Sequence, residues 1–225
     1  MNFNQCDQAR CRPSPLRRHF RTFRVLSLGL LLACSSQASL AERAPPVQSL
    51  LELRQRNVVM QQWDLSCGAA ALATILNFQH GHPISEREIA IGMMGREEYI
   101  ENPQVVTYRQ GFSLLDMKRF VDQRGYNGVG LGQLDVDDLI EHSPIIVPIA
   151  LHGYQHFVVF RGIAKGRVLI ADPAFGNRSM DRDDFEKVWI SFPEVGRIGF
   201  HVERTDNLIP PNRLQPDADD LVVRR

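Results

Sequence analysis

The residue with the clearest chemical potential in this 225-residue chain is Cys67, which directly precedes Gly68. An Ala-rich segment follows it, and because alanine is the strongest helix former, Cys67 is expected in the first turn of a helix. The free N–H groups and the positive dipole end of a helix N-terminus favour a thiolate over a thiol. The sequence therefore offers Cys67 as a nucleophile, with an inert core cysteine as the alternative.

A cysteine nucleophile needs a base, and His156 is the histidine whose surroundings suit that role. Asp172 follows it 16 residues later, on the second arm of an expected hairpin with residues 164–166 as a three-residue loop. With that loop both side chains lie on one face of the sheet, about 5–8 Å apart at Cβ, so that Asp172 can set the imidazole tautomer. A two-residue turn would break this alignment, and Asp172-Pro173 is also a common way to start a turn.

The remaining histidines have simpler interpretations, and none of them indicates a metal site. His152 and His156 are spaced as two ligands could be, but Gly153 interrupts the strand and no third ligand has a suggestive spacing. The others belong to a polar turn, a helix end and the last strand: His80, His82, His142 and His201.

Acyl chemistry at a thiol also needs donors for the developing oxyanion. Gln61 lies six residues before Cys67, where its carboxamide could pair with the Cys67 backbone N–H. Gln62 is one residue closer, and spacing alone does not choose between the two.

The elements that must position these residues fall into two halves. Helices are expected around 67–77, from Ser85 with its capping-box partner Glu88, from Ser113 with Asp116, and over 136–142. Strands are expected later, followed by one more helix near 182–189 and a last strand near 198–202. Helices first and an antiparallel sheet second predict an α+β fold. The first three expected strands are 145–150, 156–163 and 167–172, and the last two form the hairpin that carries His156 and Asp172. Pro148 indicates an edge or a bulge in the first of them.

The charges are unevenly distributed along the chain. Residues 1–41 hold six Arg and one Asp, so the other 184 residues carry 20 basic and 25 acidic side chains. A body with a net charge of −5 lacks the basic surface of a nucleic-acid-binding protein. The composition also excludes disordered, collagen-like and polytopic membrane classes.

The first 41 residues have the pattern of a secretory signal. A basic start precedes the short apolar run 25–33, and Ser39-Leu40-Ala41 fits a cleavage before Glu42. We therefore expect export to the periplasm. The alternative is a lipobox at residues 31–34, which would leave the protein lipid-anchored at the outer membrane through Cys34. Cleavage at Ala41 would leave Cys67 as the sole cysteine, with no internal disulfide.

The rest of the chain divides by composition. Residues 42–49 are a short linker with two prolines, 50–205 are expected to form one domain, and 206–225 are a polar tail.

The residues from Gln61 to Leu72 resemble the Q-x5-C-G-x-A-x-L signature of peptidase family C39, the bacteriocin-leader peptidases. The segment 153–159 is similar to that family's His strand, and Asp172-Pro173 to its Asp-Pro segment. The resemblance implies a papain-like fold and makes Cys67 the nucleophile, His156 the base, Asp172 the orienter and Gln61 the oxyanion donor, with no cofactor.

Three features differ from the best-known C39 members, which are domains of ABC exporters. This chain carries an export signal and no nucleotide-binding loop, and Ser66 stands where the family usually has Asp. It is therefore more similar to the exported, stand-alone C39 proteins, including those that accompany functional-amyloid secretion systems. The implied function is a thiol endopeptidase acting on a peptide or protein substrate. The alternatives are a non-catalytic peptide-binding or chaperone module and another papain-type amide hydrolysis or acyl transfer.

Overall fold

Helices come first along the chain and most strands follow, as the sequence patterns predict. The computed structural model describes residues 48–95, 101–102, 104–108, 111–151, 153–217 and 220. The helices are α1 (Leu50–Gln55), α2 (Cys67–Thr74, continued by a π-helical turn at Ile75–Gln79), α3 (Glu86–Met94), α4 (Gln104–Tyr108), α5 (Leu114–Asp122), α6 (Val136–Glu141) and α7 (Arg182–Val188). The strands are β1 (Tyr126–Leu131), β2 (Ile145–Leu151), β3 (Tyr154–Ala164), β4 (Arg167–Asp172), β5 (Gly176–Asp181), β6 (Ser191–Phe192), β7 (Gly196–Arg197) and β8 (Gly199–Arg204).

Both predicted capping boxes are confirmed. Ser85 and Glu88 exchange side-chain and backbone hydrogen bonds at the start of α3, and Ser113 and Asp116 do the same at α5. Each box satisfies two backbone donors that a helix N-terminus leaves free, which fixes where the helix begins. By contrast Ser66, the residue before α2, makes no side-chain cap bond to that helix.

A six-stranded antiparallel sheet in the order β1-β8-β2-β3-β4-β5 forms the centre of the structure, which confirms the α+β class. Alternate residues of β3 serve two cores. Val159 packs with Leu72 of α2 on one face, while Phe160 packs with Phe185 of α7 on the other. Because both faces of the sheet are covered, β3 is anchored from two sides where it carries His156.

The hairpin between β3 and β4 differs from the prediction. Ala164 pairs with Arg167, so the turn has two residues, Lys165 and Gly166, both at positive φ as in a type I′ turn. The predicted three-residue loop is therefore wrong. The register shifts between Phe160 and Gly162, where Arg161 is an extra residue of a β-bulge.

The bulge restores the alignment that the two-residue turn would have broken. Beyond it Val159 pairs with Ala171, which places His156 and Asp172 on the same face. One inserted residue moves every later side chain of the strand to the opposite face of the sheet. The bulge therefore brings His156 to the face of Asp172, as a three-residue loop without a bulge would have done.

Sequence patterns also missed contacts at both ends of the domain. The edge strand β5 and the helix α1 that packs against it were not predicted. Part of the expected polar tail, from Asn212 to Asp217 and at Asp220, packs onto the domain. Leu214 is fully buried, and the Asp220 side chain pairs with the buried Arg161.

Pro148 lies in an interior strand, at a point where β2 has already separated from β8. Ile146 is the one residue of β2 that pairs with β8. Beyond it, β2 continues to pair with β3. The Pro148 carbonyl accepts a hydrogen bond from the Ile190 N–H. The missing proline N–H therefore breaks no ladder on that side.

In the part of the chain that the structure describes, no helix is long and apolar enough to cross a bilayer. The signal segment 1–41, with the lipobox at Cys34, lies outside the described residues, so cleavage and anchoring stay predictions.

Candidate active site

Cys67 begins α2, as expected, and its side chain is almost fully buried, with 4% of the residue exposed. Burial raises the pKa of the Cys67 thiol, and the negative charge of Asp172 raises it further. The backbone N–H groups of Phe157 and Gly68 act in the opposite direction because they donate to the sulfur. The sulfur therefore lies beside the start of β3, at the residue that follows His156.

His156 and Asp172 are brought together by the hairpin. The imidazole Nε2 and the Asp172 Oδ1 are 3.2 Å apart, and both side chains have no exposed surface. Nδ1 of His156 is also buried, and it has no hydrogen-bond partner among the described groups. A carboxylate only accepts, so Nε2 carries the proton and Nδ1 is left with a free lone pair.

Asp172 also starts a turn, so it makes both the contact to His156 and the turn contacts that the two interpretations predict. Its Oδ1 accepts from the Ala174 N–H at 2.9 Å and the Phe175 N–H at 3.3 Å, which is an Asx-turn. Its Oδ2 accepts from Arg178 Nη1 at 3.3 Å. The backbone donors and one cation hold the carboxylate in the orientation that meets His156.

Gln61 and Gln62 have different surroundings, although their spacing from Cys67 is similar. The Gln61 N–H donates to the Pro173 carbonyl at 2.9 Å, and its side-chain Oε1 is buried without a hydrogen-bond partner in the described ranges. Gln62 is exposed, and its N–H donates to the Glu86 carboxylate. Gln61 is therefore tied directly to the segment that carries Asp172.

A cavity of about 300 Å³ opens beside Cys67 and His156. Ser113 and Gln155 are its other polar side chains, and no charged side chain of the described residues lines it. The rest of the lining is apolar or glycine: Gly111, Phe112, Leu114, Pro148, Phe157, Ile190, Phe192 and Ile198. A lining of this kind suits an uncharged, largely apolar group next to the sulfur.

Three residues that support the site were missed by sequence reasoning. The Tyr154 ring stacks on the His156 ring, with centroids 5.0 Å apart. Arg178 pairs with Asp172, and the buried Glu86 accepts hydrogen bonds from Gln62 N–H and the Ser66 hydroxyl. Tyr154 could have been found by the two-residue alternation of a strand, whereas no local pattern marks the other two.

The other histidines of the sequence analysis take no part in this arrangement where they are described. His80 Nε2 lies 3.0 Å from the Val202 carbonyl, and the His201 ring lies near His142. His152 lies outside the described residues. Within the described ranges, no group of three or more His, Cys, Asp or Glu residues could hold a metal ion.

Comparison with known proteins gives consistent results. The peptidase C39 family model matches residues 55–192. A probable functional amyloid protease FapD of Pseudomonas fluorescens is 38% identical over 175 residues, covering 73% of this chain and 75% of that protein. The Pseudomonas aeruginosa protein of the same description is 37% identical over 185 residues, covering 77% and 79%.

Two solved structures share the fold. One is a double glycine motif protease from an AMS/PCAT transporter, in complex with the leader peptide, with a TM-score of 0.51, 21% identity, and coverage of 66% of this chain and 91% of that one. The other is the peptidase domain of Streptococcus ComA, a bi-functional ABC transporter, with a TM-score of 0.51, 17% identity, and coverage of 66% and 98%.

Proposed function

The chain belongs to the C39 family of cysteine peptidases, and we propose that it is an endopeptidase whose catalytic residues are Cys67, His156 and Asp172. The observation that carries this proposal is the buried His156 ring, which is hydrogen-bonded to Asp172 through Nε2, lines the same cavity as Cys67, and has an Nδ1 with no hydrogen-bond partner among the described residues. This is the geometry of a nucleophile, a base and an orienting carboxylate.

The first step is attack of the Cys67 sulfur on the scissile carbonyl carbon. Because burial raises its pKa, the resting thiol holds its proton, which passes to Nδ1 of His156 as the S–C bond forms. Asp172 stabilises the resulting imidazolium through the 3.2 Å contact at Nε2. The imidazolium then protonates the leaving amine, and a thioester remains on Cys67.

The second step releases the acyl group. A water molecule attacks the thioester carbonyl while His156 accepts its proton, and the proton then returns to the thiolate. In both steps the carbonyl oxygen becomes an oxyanion. We assign its stabilisation to the Gln61 carboxamide and the Cys67 N–H, because Gln61 is held against the Asp172 segment and Gln62 is turned to solvent.

For the substrate, we propose a segment of an exported protein that assembles into functional amyloid, or of its secretion machinery. The support is the description of the two Pseudomonas relatives as probable functional amyloid proteases. We further propose that residues 1–41 direct export to the periplasm and are removed after Ala41. Mass spectrometry of the mature N-terminus tests this, since a diacylglyceryl Cys34 would contradict it.

Alkylation of the thiol tests the catalytic assignment without knowledge of the substrate. In the wild type His156 can accept the thiol proton as the sulfur attacks iodoacetamide, whereas His156→Ala leaves a thiol of raised pKa without a base, so the variant should label Cys67 at least about tenfold more slowly. His82→Ala, an exposed histidine outside the site, is the control and should label like the wild type. Equal labelling rates in all three proteins would contradict the assignment.

Cleavage of a protein substrate is the second test. We expect the purified chain to cut one of the products of its neighbouring genes and Cys67→Ala to leave the same product intact. Cleavage by Cys67→Ala at the wild-type rate would exclude Cys67 as the nucleophile.

A further inference from the structure

The C-terminal segment, residues 214–217 and 220, contacts the β-bulge that aligns His156 with Asp172. The extra residue of this bulge is Arg161, whose side chain is buried with 4% exposure. A buried guanidinium must have its donors satisfied, and the partners that satisfy them are mostly at the C-terminal end of the chain.

Arg161 makes five hydrogen bonds in the described structure. Its Nη1 and Nη2 hold the two Asp220 oxygens at 3.0 and 2.9 Å, which is the bidentate geometry of the strongest ion pairs. Two further donors reach the carbonyls of Leu214 and Gln215 at 3.0 and 3.4 Å. The fifth bond goes to Asn177 of β5 at 3.0 Å.

The neighbouring residue of the bulge is equally constrained. Gly162 has φ of 135°, a conformation that side-chain-bearing residues rarely adopt. A Cβ there would lie 2.7 Å from Cγ of Pro216, so the C-terminal segment packs directly against the bulge backbone. Both residues at the register shift thus contact the same segment.

Asp220 is held in its ionised form. Burial alone would favour the neutral acid, but the hydrogen bonds and charge of Arg161 outweigh it, so the pKa of Asp220 lies below its ordinary value. Arg56 adds a further contact to the same carboxylate at 3.2 Å. The ion pair is therefore closed to solvent and charged at neutral pH.

We propose that Arg161 and Asp220 are positioning residues: by anchoring the C-terminal segment on the bulge, they fix the strand register that brings His156 to Asp172. Without the bulge the two-residue turn would place these side chains on opposite faces of the hairpin. The proposal rests on the proposed function for its catalytic meaning, but the register itself does not depend on turnover.

The test compares Asp220→Asn with a matched control on the same sheet. Asp181→Asn removes the carboxylate of another Arg–Asp pair, the exposed Arg167–Asp181 contact at 2.6 Å. We expect Asp220→Asn to weaken or abolish the NMR resonance of the His156 imidazole N–H that faces Asp172. We also expect kcat to fall at least about tenfold while KM changes less than threefold. Asp181→Asn should change none of these.

A second variant covers the case in which Asp220→Asn does not fold, because removing one partner leaves a buried charge. Replacing both partners, Arg161→Met with Asp220→Leu, leaves no buried charge and should fold. It should show the same loss of the imidazole resonance and of kcat. A folded variant of either kind with an unchanged resonance and unchanged kcat would overturn the proposal.

The two proposals fail in different ways. Loss of the resonance in the Asp220 variant, together with a wild-type chain that cleaves nothing, would support the positioning role and contradict the proposed function. An unchanged resonance in an active enzyme would do the reverse.

Discussion

At the scale of single residues, the site combines a buried thiol with an imidazole whose two nitrogens have different neighbours. Cys67 and the His156–Asp172 pair, the proposed nucleophile, base and orienter, could be selected from the sequence because a helix start and a hairpin are local features and because the residues resemble the family signature. Arg178 and Glu86 could not, because an ion pair or a buried acceptor depends on which elements pack together. Spacing alone does not choose between Gln61 and Gln62; the resemblance to family C39 points to Gln61, and the backbone contact of Gln61 to Pro173 supports that proposal.

Gln61→Ala should lower kcat by roughly 10²–10³, the usual effect of losing one oxyanion donor. Gln62→Ala is the matched control, because the Gln62 side chain is exposed and its contact to Glu86 uses the backbone N–H, which alanine keeps. Steady-state kinetics on one cleavable peptide decide between them. A larger loss in the Gln62 variant would show that the assignment is reversed.

Asp172→Asn should lower turnover at least about a hundredfold, because the carboxamide stabilises an imidazolium less and can impose the wrong tautomer. Asn can still accept from the Ala174 and Phe175 N–H groups, so the turn should remain intact. Circular dichroism checks the fold, and a pH–rate profile reports the change in the catalytic pair.

The contrary result is equally clear. If Asp172→Asn keeps turnover within about threefold of the wild type and an unchanged pH–rate profile, Asp172 is only a turn residue. The site would then be a Cys–His dyad.

At the scale of elements, helix starts could be predicted because capping boxes are local, whereas strand register could not. The sequence shows Gly166 at a turn, but it does not show whether that turn has two residues or three. No local pattern marks the bulge at Arg161, because its side chain bonds to Leu214, Gln215 and Asp220, more than 50 positions away. The correct pairing of His156 with Asp172 was thus reached from an incorrect loop.

Lys165→Asn should stabilise the hairpin without affecting catalysis. Lys165 has φ of 47°, which costs an ordinary residue about 1–2 kcal/mol, and Asn-Gly is the preferred pair of a type I′ turn. We expect the free energy of unfolding to rise by roughly 0.5–1 kcal/mol in denaturant titrations. Lys165→Gln removes the same charge without asparagine's tolerance of positive φ, so it is the control and should not stabilise the hairpin. A decrease in stability would contradict the assigned turn geometry.

At the scale of the whole molecule, the boundary between domain and tail that composition predicts differs from the boundary that packing shows. A segment with three prolines, four aspartates and few apolar residues looks like a tail, yet Leu214 and Asp220 are buried. Burial of one leucine and one ion pair is enough to attach such a segment, and a sequence average does not register two residues. The body's net charge of −5 and its α+β class, by contrast, follow from composition and the order of the expected elements.

The stability of the whole molecule should depend on His80 in mildly acidic solution. Its Nε2–H donates to the Val202 carbonyl, and its Nδ1 is buried with no partner in the described part of the chain. Burial lowers the pKa of His80 to about 4, and the charge of Arg204 acts in the same direction. A second ring proton would therefore have to be buried unpaired.

The sign of the effect follows from proton binding. Between pH 6.5 and 4 the unfolded chain binds a proton at His80 that the native protein does not, so the free energy of unfolding falls as the pH is lowered through this range. The shift corresponds to about 3 kcal/mol. His80→Gln, which does not titrate, should remove this part of the pH dependence, whereas the exposed His82→Gln should retain it. Urea titrations at pH 7, 5.5 and 4.5 measure the slopes, and identical slopes for wild type and His80→Gln would mean that His80 becomes protonated in the native state as easily as in the unfolded chain.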